Sequence, residues 1–384
     1  MSPDFLPYGR HNVTPADIEA VVEVLRSDWL TQGPTVARFE DAVAAYCGAK
    51  HAVAVSSGTA ALHIACLAAG IGPGDEVITS AITFVASANC TAYCGGIPVI
   101  ADIDPVYRNL APAAFEAAIT PRAKAVIPVD FGGHPCAPEA IARIACDNGL
   151  TIIEDAAHSL GAEYDGYRVG SCAHADMAIL SFHPVKLITS GEGGMVLTND
   201  GALYERLLVF RNHGIVRDAE KFVAEDPANS GPWYYEQQEL GYNYRMTDMQ
   251  AALGLSQMAR IDEFLAARRE LAAAYTERLS ARGDIELPRE AEGVRSAWHL
   301  YPIRLKDTAR HAEVFAQLRA DGIGVQVHYI PVHLQPYYRE RLDLTPGALP
   351  IAEAYYAGAI TLPLFPGMTE ADVDRVVASL GRVL

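Results

Sequence analysis

Ser181-Phe-His-Pro-Val-Lys-Leu-Ile-Thr-Ser-Gly-Glu-Gly-Gly194 follows directly on the apolar run Met177-Ala-Ile-Leu180. A short buried strand empties here into a loop of small, apolar and glycine residues, with Lys186 among them. Lysine is scarce in this chain, at Lys50, Lys124, Lys186, Lys221 and Lys306 only. An ammonium set among such neighbours loses hydration, its pKa falls, and the free amine becomes a nucleophile. Schiff-base chemistry needs that amine. A solitary lysine more often snorkels out of a loop, so the surrounding sequence has to carry the argument.

Upstream, Leu150-Thr-Ile-Ile-Glu-Asp-Ala-Ala-His158 reads as a buried strand ending in two acids and a histidine. Asp155 precedes Lys186 by 31 residues (186 − 155), room for one further strand pair and a loop. A carboxylate at the carboxyl end of a parallel strand meets ligands in the crevice there. It can keep a pyridine nitrogen protonated and so make the ring an electron sink. Further upstream, the strand His51-Ala-Val-Ala-Val55 runs into Ser56-Ser-Gly-Thr-Ala-Ala-Leu62, which opens a helix. Free N–H groups and hydroxyls at a helix start suit one phosphate. Neither GxGxxG nor GxxxxGK[ST] occurs in the chain. Taken singly, these features are a helix cap, a strand-end acid and a structural histidine. Anion cradle, acid and lysine in that order agree with one another.

Six motifs extend the pattern: Ser57-Gly-Thr-Ala-Ala-Leu62, Thr83-Phe-Val-Ala-Ser-Ala-Asn89, Glu154-Asp-Ala-Ala-His158, Ser181-Phe-His-Pro-Val-Lys186, Gly191-Glu-Gly-Gly194 and Gly241-Tyr-Asn-Tyr-Arg-Met246. With them the chain resembles the DegT/DnrJ/EryC1/StrS family of sugar aminotransferases, fold type I pyridoxal phosphate enzymes, from Leu30-Thr-Gln-Gly-Pro34 into the C-terminal domain. The sequence around Lys186 and Val327-His-Tyr-Ile-Pro-Val-His333 is most similar to the branch of pseudaminic acid biosynthesis. That branch comprises the UDP-4-amino-4,6-dideoxy-N-acetyl-β-L-altrosamine transaminases.

The resemblance implies a role for each matching position. Lys186 would hold pyridoxal 5′-phosphate and shuttle the proton between the donor's α-carbon and the cofactor. Asp155 would pair with the pyridinium nitrogen, Phe84 would stack on the ring, and His158 would lie near its phenolic oxygen. Ser57, Gly58, Thr59 and Ser181 would bind the phosphate. Asn243 would reach that phosphate from the other subunit of a homodimer with shared active sites. Tyr8, Trp29, Leu30, Thr31, His328 and Tyr329 would line the sugar pocket. The implied reaction moves the amino group of L-glutamate to the C4 ketone of a UDP-linked 4-keto-6-deoxy-N-acetyl sugar. A dTDP- or GDP-linked ketosugar is an alternative. So is a pyridoxal-dependent sugar dehydratase, although its hallmark is loss of the lysine.

Bulk properties agree with a cytoplasmic metabolic enzyme. The 384 residues give room for two domains and a large core. No apolar run approaches the ~20 residues of a membrane helix, and Met1-Ser-Pro-Asp-Phe5 lacks the regions of a signal peptide. A net charge of −17 argues against nucleic acid. Seven cysteines without paired spacing read as thiols rather than a zinc site or disulfides. His328 and His333 flank Pro331, which turns them apart, so no metal is expected.

Thr14-Pro-Ala-Asp17 caps a helix running through Arg26. Apolar runs at 51–55, 76–80, 98–102, 125–130, 150–155, 176–182 and 193–198 then alternate with helices. They predict an α/β fold with a mostly parallel seven-stranded sheet, covered on both faces. From about residue 256 the texture changes. A charged amphipathic helix at 260–282 leads to runs at 284–287, 297–304, 324–330 and 359–364 with interleaved helices. These predict a large domain, 1–255, and a smaller α/β domain, 256–384. The stretch 217–235 reads as a long surface loop.

Overall fold

The computed structural model describes residues 5–224 and 231–384; residues 225–230, inside the expected 217–235 loop, lie outside the described residues. All seven expected runs form strands of one sheet: β1 (His51–Val55), β2 (Glu76–Ser80), β3 (Ile97–Ala101), β4 (Ala123–Ile127), β5 (Thr151–Asp155), β8 (Met177–Ser181) and β9 (Gly194–Thr198). A short hairpin of β6 (Glu163–Tyr164) and β7 (Tyr167–Arg168) sits outside it. The strand order is β1-β9-β8-β5-β4-β2-β3. The pairings from β8 to β3 are parallel, whereas β9 runs antiparallel to both β8 and β1. A parallel return needs a crossover, usually through a helix. The loop 182–193 contains none, so the chain turns straight back. The run expected at 125–130 stops at Ile127, because Pro128 has no N–H to give the ladder.

Helices α1 (Pro15–Arg26), α2 (Pro34–Cys47), α3 (Gly58–Ala68) and α4 (Ala86–Tyr93) precede β3. Side chains alternate across the strands, as a period of two demands. Ile153, Ile179 and Val196 join Leu62 and Ile64 of α3 in one core. Ala178, Leu180 and Leu197 join Phe39 and Val43 of α2 in another.

A separate three-stranded antiparallel sheet follows, built from Ile285–Glu286, Tyr301–Leu305 and Ala359–Leu362. The stretch 324–330 does not become a strand. It makes only the isolated bridge of Gln326 to Thr361 and then turns inward with His328 and Tyr329. The helix Ile261–Leu279 gives Phe264 and Leu265 to the α2-side core and Leu271, Tyr275 and Leu279 to the core of the small sheet. On this ground we propose residues 256–384 as the smaller unit. Leu6 packs into the same core, and its amide donates to Gly322 O at 2.9 Å.

Asp17 ties these parts together. The amide and hydroxyl of Thr14 donate to its Oδ2 at 2.8 and 3.0 Å, completing the cap of α1. The same buried carboxylate accepts from Ser256 Oγ at 2.6 Å, Gln257 Nε2 at 3.0 Å and Arg260 Nη2 at 2.6 Å. Burial alone would push this carboxyl up. The donors of Ser256 and Thr14 and the Arg260 charge outweigh it and hold the group below its ordinary range. Replacing Asp17 by Asn should cost about 2–3 kcal/mol, less than for a fully buried pair because Arg260 keeps some water. Urea unfolding should show a lower midpoint at unchanged slope. The wild-type advantage is present above the unfolded carboxyl pKa and fades as pH falls through the lowered folded one, so the two proteins should converge in acid.

Candidate active site

The carboxyl ends of β5 and β8 and the start of α3 open on one crevice of about 480 Å³. Asp155, last residue of β5, is clamped there through its backbone. Its amide donates to Pro128 O at 2.8 Å, and its carbonyl accepts from Asp130 N at 3.1 Å. Its buried carboxylate accepts from Ser87 Oγ at 2.6 Å and from Ala157 N at 3.2 Å. Burial pushes the Asp155 carboxyl up; those two donors and the charge of Lys186 pull the other way.

Lys186 lines the same crevice from the loop that follows β8. Its loop is closed on itself by Lys186 N to His183 O at 2.9 Å, Ser190 N to Phe182 O at 3.0 Å and Phe182 N to Gly193 O at 2.9 Å. Desolvation lowers its pKa to about 8, partly opposed by Asp155. Surroundings that strip water from an ammonium have the effect expected from the sequence.

Ser57 caps α3 through Ala60 N at 3.1 Å. A methyl group on Gly58 would come within 2.9 Å of Ser181 Cβ and 3.2 Å of its Oγ. Glycine is therefore needed for α3 and β8 to approach, and Ser57, Gly58, Thr59 and Ser181 line the crevice together. They leave a helix N-terminus flanked by hydroxyls, a cradle for one phosphate.

Phe84 lines the crevice with an exposed ring, 6.2 Å from the ring of Tyr329. His158 is buried, and Gly132 N donates to its Nδ1 at 3.3 Å; its Nε2 lies 3.3 Å from Tyr329 Oη. Burial drives its pKa well below the usual imidazole range, helped by Lys186. His328 is likewise pushed down to about 4. Both imidazoles are neutral at physiological pH.

Of the residues expected around the sugar, Tyr8, His328 and Tyr329 line this crevice. Trp29, Leu30 and Thr31 do not. Their turn is stapled elsewhere, by a Thr31–Thr247 bridge and Asp248 N to Leu30 O at 3.0 Å, and Trp29 faces a separate groove. Asn243 is exposed, bridges to Asn212, and is also outside the crevice of its own chain. The sequence reading missed Thr83, Ser87, His183, Glu192 and His299, all of which line the site. Thr83 and Ser87 carried a usable signal, two hydroxyls one helical turn apart. His299 carried none, since it arrives from the smaller sheet.

Comparison with known proteins places this geometry. The DegT/DnrJ/EryC1/StrS aminotransferase family matches residues 12–381. GDP-perosamine synthase of Caulobacter vibrioides is 41% identical over 368 residues, covering 95% of this chain and 94% of that protein. Helicobacter pylori PseC, an aminotransferase involved in the biosynthesis of pseudoaminic acid, superposes with a TM-score of 0.90 at 30% identity, over 99% of each chain. NtdA from Bacillus subtilis, solved with bound cofactor PMP, gives a TM-score of 0.84 at 30% identity, over 97% of this chain and 82% of that one. The residues present fit such a group. A phosphate-sized cradle, a buried carboxylate turned to the crevice and a desolvated lysine stand around a space wide enough for a pyridine ring.

With a pKa of about 8 rather than 10.5, about a quarter of Lys186 is neutral at pH 7.5, against roughly one in a thousand for an ordinary lysine. Capture of pyridoxal phosphate by the cofactor-free protein should therefore rise with pH and level off above about 8, as followed by absorbance. A rise continuing towards 10.5 would mean that the amine is hydrated.

Proposed function

This chain belongs to the DegT/DnrJ/EryC1/StrS aminotransferase family and is a pyridoxal phosphate-dependent sugar aminotransferase; from that premise we propose that it aminates the C4 ketone of a UDP-linked 4-keto-6-deoxy-N-acetyl sugar, taking the amino group from L-glutamate. The observation that carries this reading is the meeting of Lys186, Asp155 and the α3 cradle in one crevice with Tyr8, His328 and Tyr329 at its wall. The likeness to PseC supports pseudaminic acid biosynthesis as the setting.

When bound, pyridoxal phosphate supplies the carbonyl carbon that carries the amino group and the electron sink for the carbanion. The chain supplies the rest. Ser57, Gly58, Thr59 and Ser181 would hold the phosphate, Phe84 would pack on the ring face, and Asp155 would hold the proton on the ring nitrogen. In the first half-reaction Lys186 Nζ would take a proton from the α-carbon of glutamate and return it to the cofactor's carbonyl carbon, after which water releases 2-oxoglutarate and the amino group stays behind on the cofactor. In the second Lys186 would deliver a proton to C4 of the sugar. A base already in place at its target lowers the barrier without any step of encounter. Neutral His328 and Tyr329 would orient substrate oxygens, and neutral His158 the cofactor's phenolic oxygen, without adding charge that would compete for Asp155.

We further propose a homodimer with shared sites. Asn243, Trp29, Leu30 and Thr31 lie outside the crevice of their own chain, and a second protomer would bring them to it. A second reading, a GDP-linked ketosugar, is favoured by the 41% identity to GDP-perosamine synthase.

Lys186→Ala should abolish turnover while keeping the wild-type melting temperature; wild-type turnover in that variant would sink the assignment. In the wild-type enzyme, L-glutamate should bleach the visible cofactor band, and after desalting a UDP-linked ketosugar should restore it. Restoration by a GDP-linked ketosugar alone would select the second reading. Co-expressing Lys186→Ala with Asn243→Ala should recover activity that neither variant has alone, because one mixed-dimer site is then intact. Failure to recover would count against shared sites.

A further inference from the structure

The Thr83–Ser87 turn is hydrogen-bonded to Asp155. Thr83 and Ser87 are both buried. Thr83 Oγ1 lies 2.7 Å from Ser87 Oγ, which lies 2.6 Å from Asp155 Oδ2. An ionised carboxylate only accepts, so the single hydroxyl proton of Ser87 is committed to Asp155. The Thr83 hydroxyl must then donate to Ser87. The direction of the chain is fixed from Thr83 through Ser87 to the carboxylate, and each bond polarises the next. Ala157 N takes the other oxygen at 3.2 Å. Phe84, one residue on from Thr83, projects from the same turn into the crevice.

We propose that Thr83 and Ser87 are positioning residues that act through Asp155, locking its rotamer and holding its charge before the ring nitrogen arrives, so that one turn sets both the face and the edge of the ring. The inference rests on the role given to Asp155 above. It goes further in assigning control of that acid to two hydroxyls that act through its carboxylate. The charged and titratable groups facing Asp155 are Lys186 from the loop after β8, Glu154 and Asp130 from its own strand end and the neighbouring one, and Tyr329 from the smaller unit. Only Lys186 among them is a cation. Without the hydroxyl donors, Lys186 and one amide are left to oppose burial. Loss of a donor should therefore make Asp155 protonate at higher pH.

The test is the affinity of the cofactor-free protein for pyridoxal phosphate, measured by equilibrium dialysis as a function of pH, together with thermal melts. Ser87→Ala should bind about tenfold more weakly at neutral pH, the size expected for a hydrogen bond to a charged group. The acid limb of its affinity profile should also move to higher pH. Thr83→Val, which keeps the shape and removes the hydroxyl, should shift the limb in the same direction by less, and Thr83→Ser should restore it. Melting temperatures near wild type would show that the fold is kept. Wild-type acid limbs in Ser87→Ala and Thr83→Val overturn the proposal. So does a uniform loss of affinity at every pH that Thr83→Ser fails to rescue, since that marks a structural role. Asp155→Asn separates the two levels. If it keeps wild-type affinity and the same acid limb, the role of Asp155 falls and the relay with it. If its acid limb loses the part due to Asp155 and keeps only the rise towards 8 that Lys186 gives, while the hydroxyl variants behave as wild type, only the relay falls.

Discussion

An acid at the end of a central strand is costly, and the site is organised around that cost. Asp155 is buried with its carboxylate turned to the crevice, and burial works against its charge. Ser87, the Ala157 amide and Lys186 offset the cost only in part, and a protonated ring nitrogen is the partner that completes the set. The position of the acid is rigid because β5 lies between β4 and β8, paired on both edges. Lysine loop, helix start and Phe84 turn are then placed relative to one fixed carboxylate.

Lys186 and Asp155 adjust one another. Desolvation lowers the lysine towards neutrality and raises the acid, while their mutual attraction opposes both shifts. Desolvation wins at the lysine, leaving a nucleophile poised near physiological pH. The histidines around them are neutral for the same reason, being buried and exposed to the field of Lys186. At its buried end the crevice therefore sets one base, Lys186, and one acid, Asp155, among neutral donors and acceptors. That division suits proton transfer at one carbon flanked by uncharged sugar hydroxyls.

Much of this was legible in the residues. Each of the seven core strands holds at least two of Val, Ile, Leu and Ala side by side, and each appeared within two residues of its expected start. Gly58 was legible as part of an anion cradle, but its close approach to Ser181, which only an absent Cβ allows, came from the structure. Thr83 and Ser87 were inside a recognised motif, and their spacing marked them as a pair, yet their partner Asp155 was not visible, because a hydrogen bond across 68 residues of sequence leaves no periodic trace. The run 324–330 misled, being apolar and β-branched enough for a strand. It lacks a continuous partner, so its polar side chains turn into the crevice instead.

By itself the sequence determined the alternation of strand and helix, the caps, the lysine in its glycine-rich loop and the acid at its strand end. These are local properties, set by periodicity, backbone freedom and the hydration of single side chains. Only the tertiary structure decided which of the expected site residues meet. It brings Tyr8, His299 and Tyr329 from both ends of the chain to the same wall, and it keeps Trp29, Leu30, Thr31 and Asn243 away from the crevice of their own chain. Convergence of that kind depends on how two cores pack along the helix Ile261–Leu279. Packing is a sum over contacts between distant residues, and no window of sequence contains it.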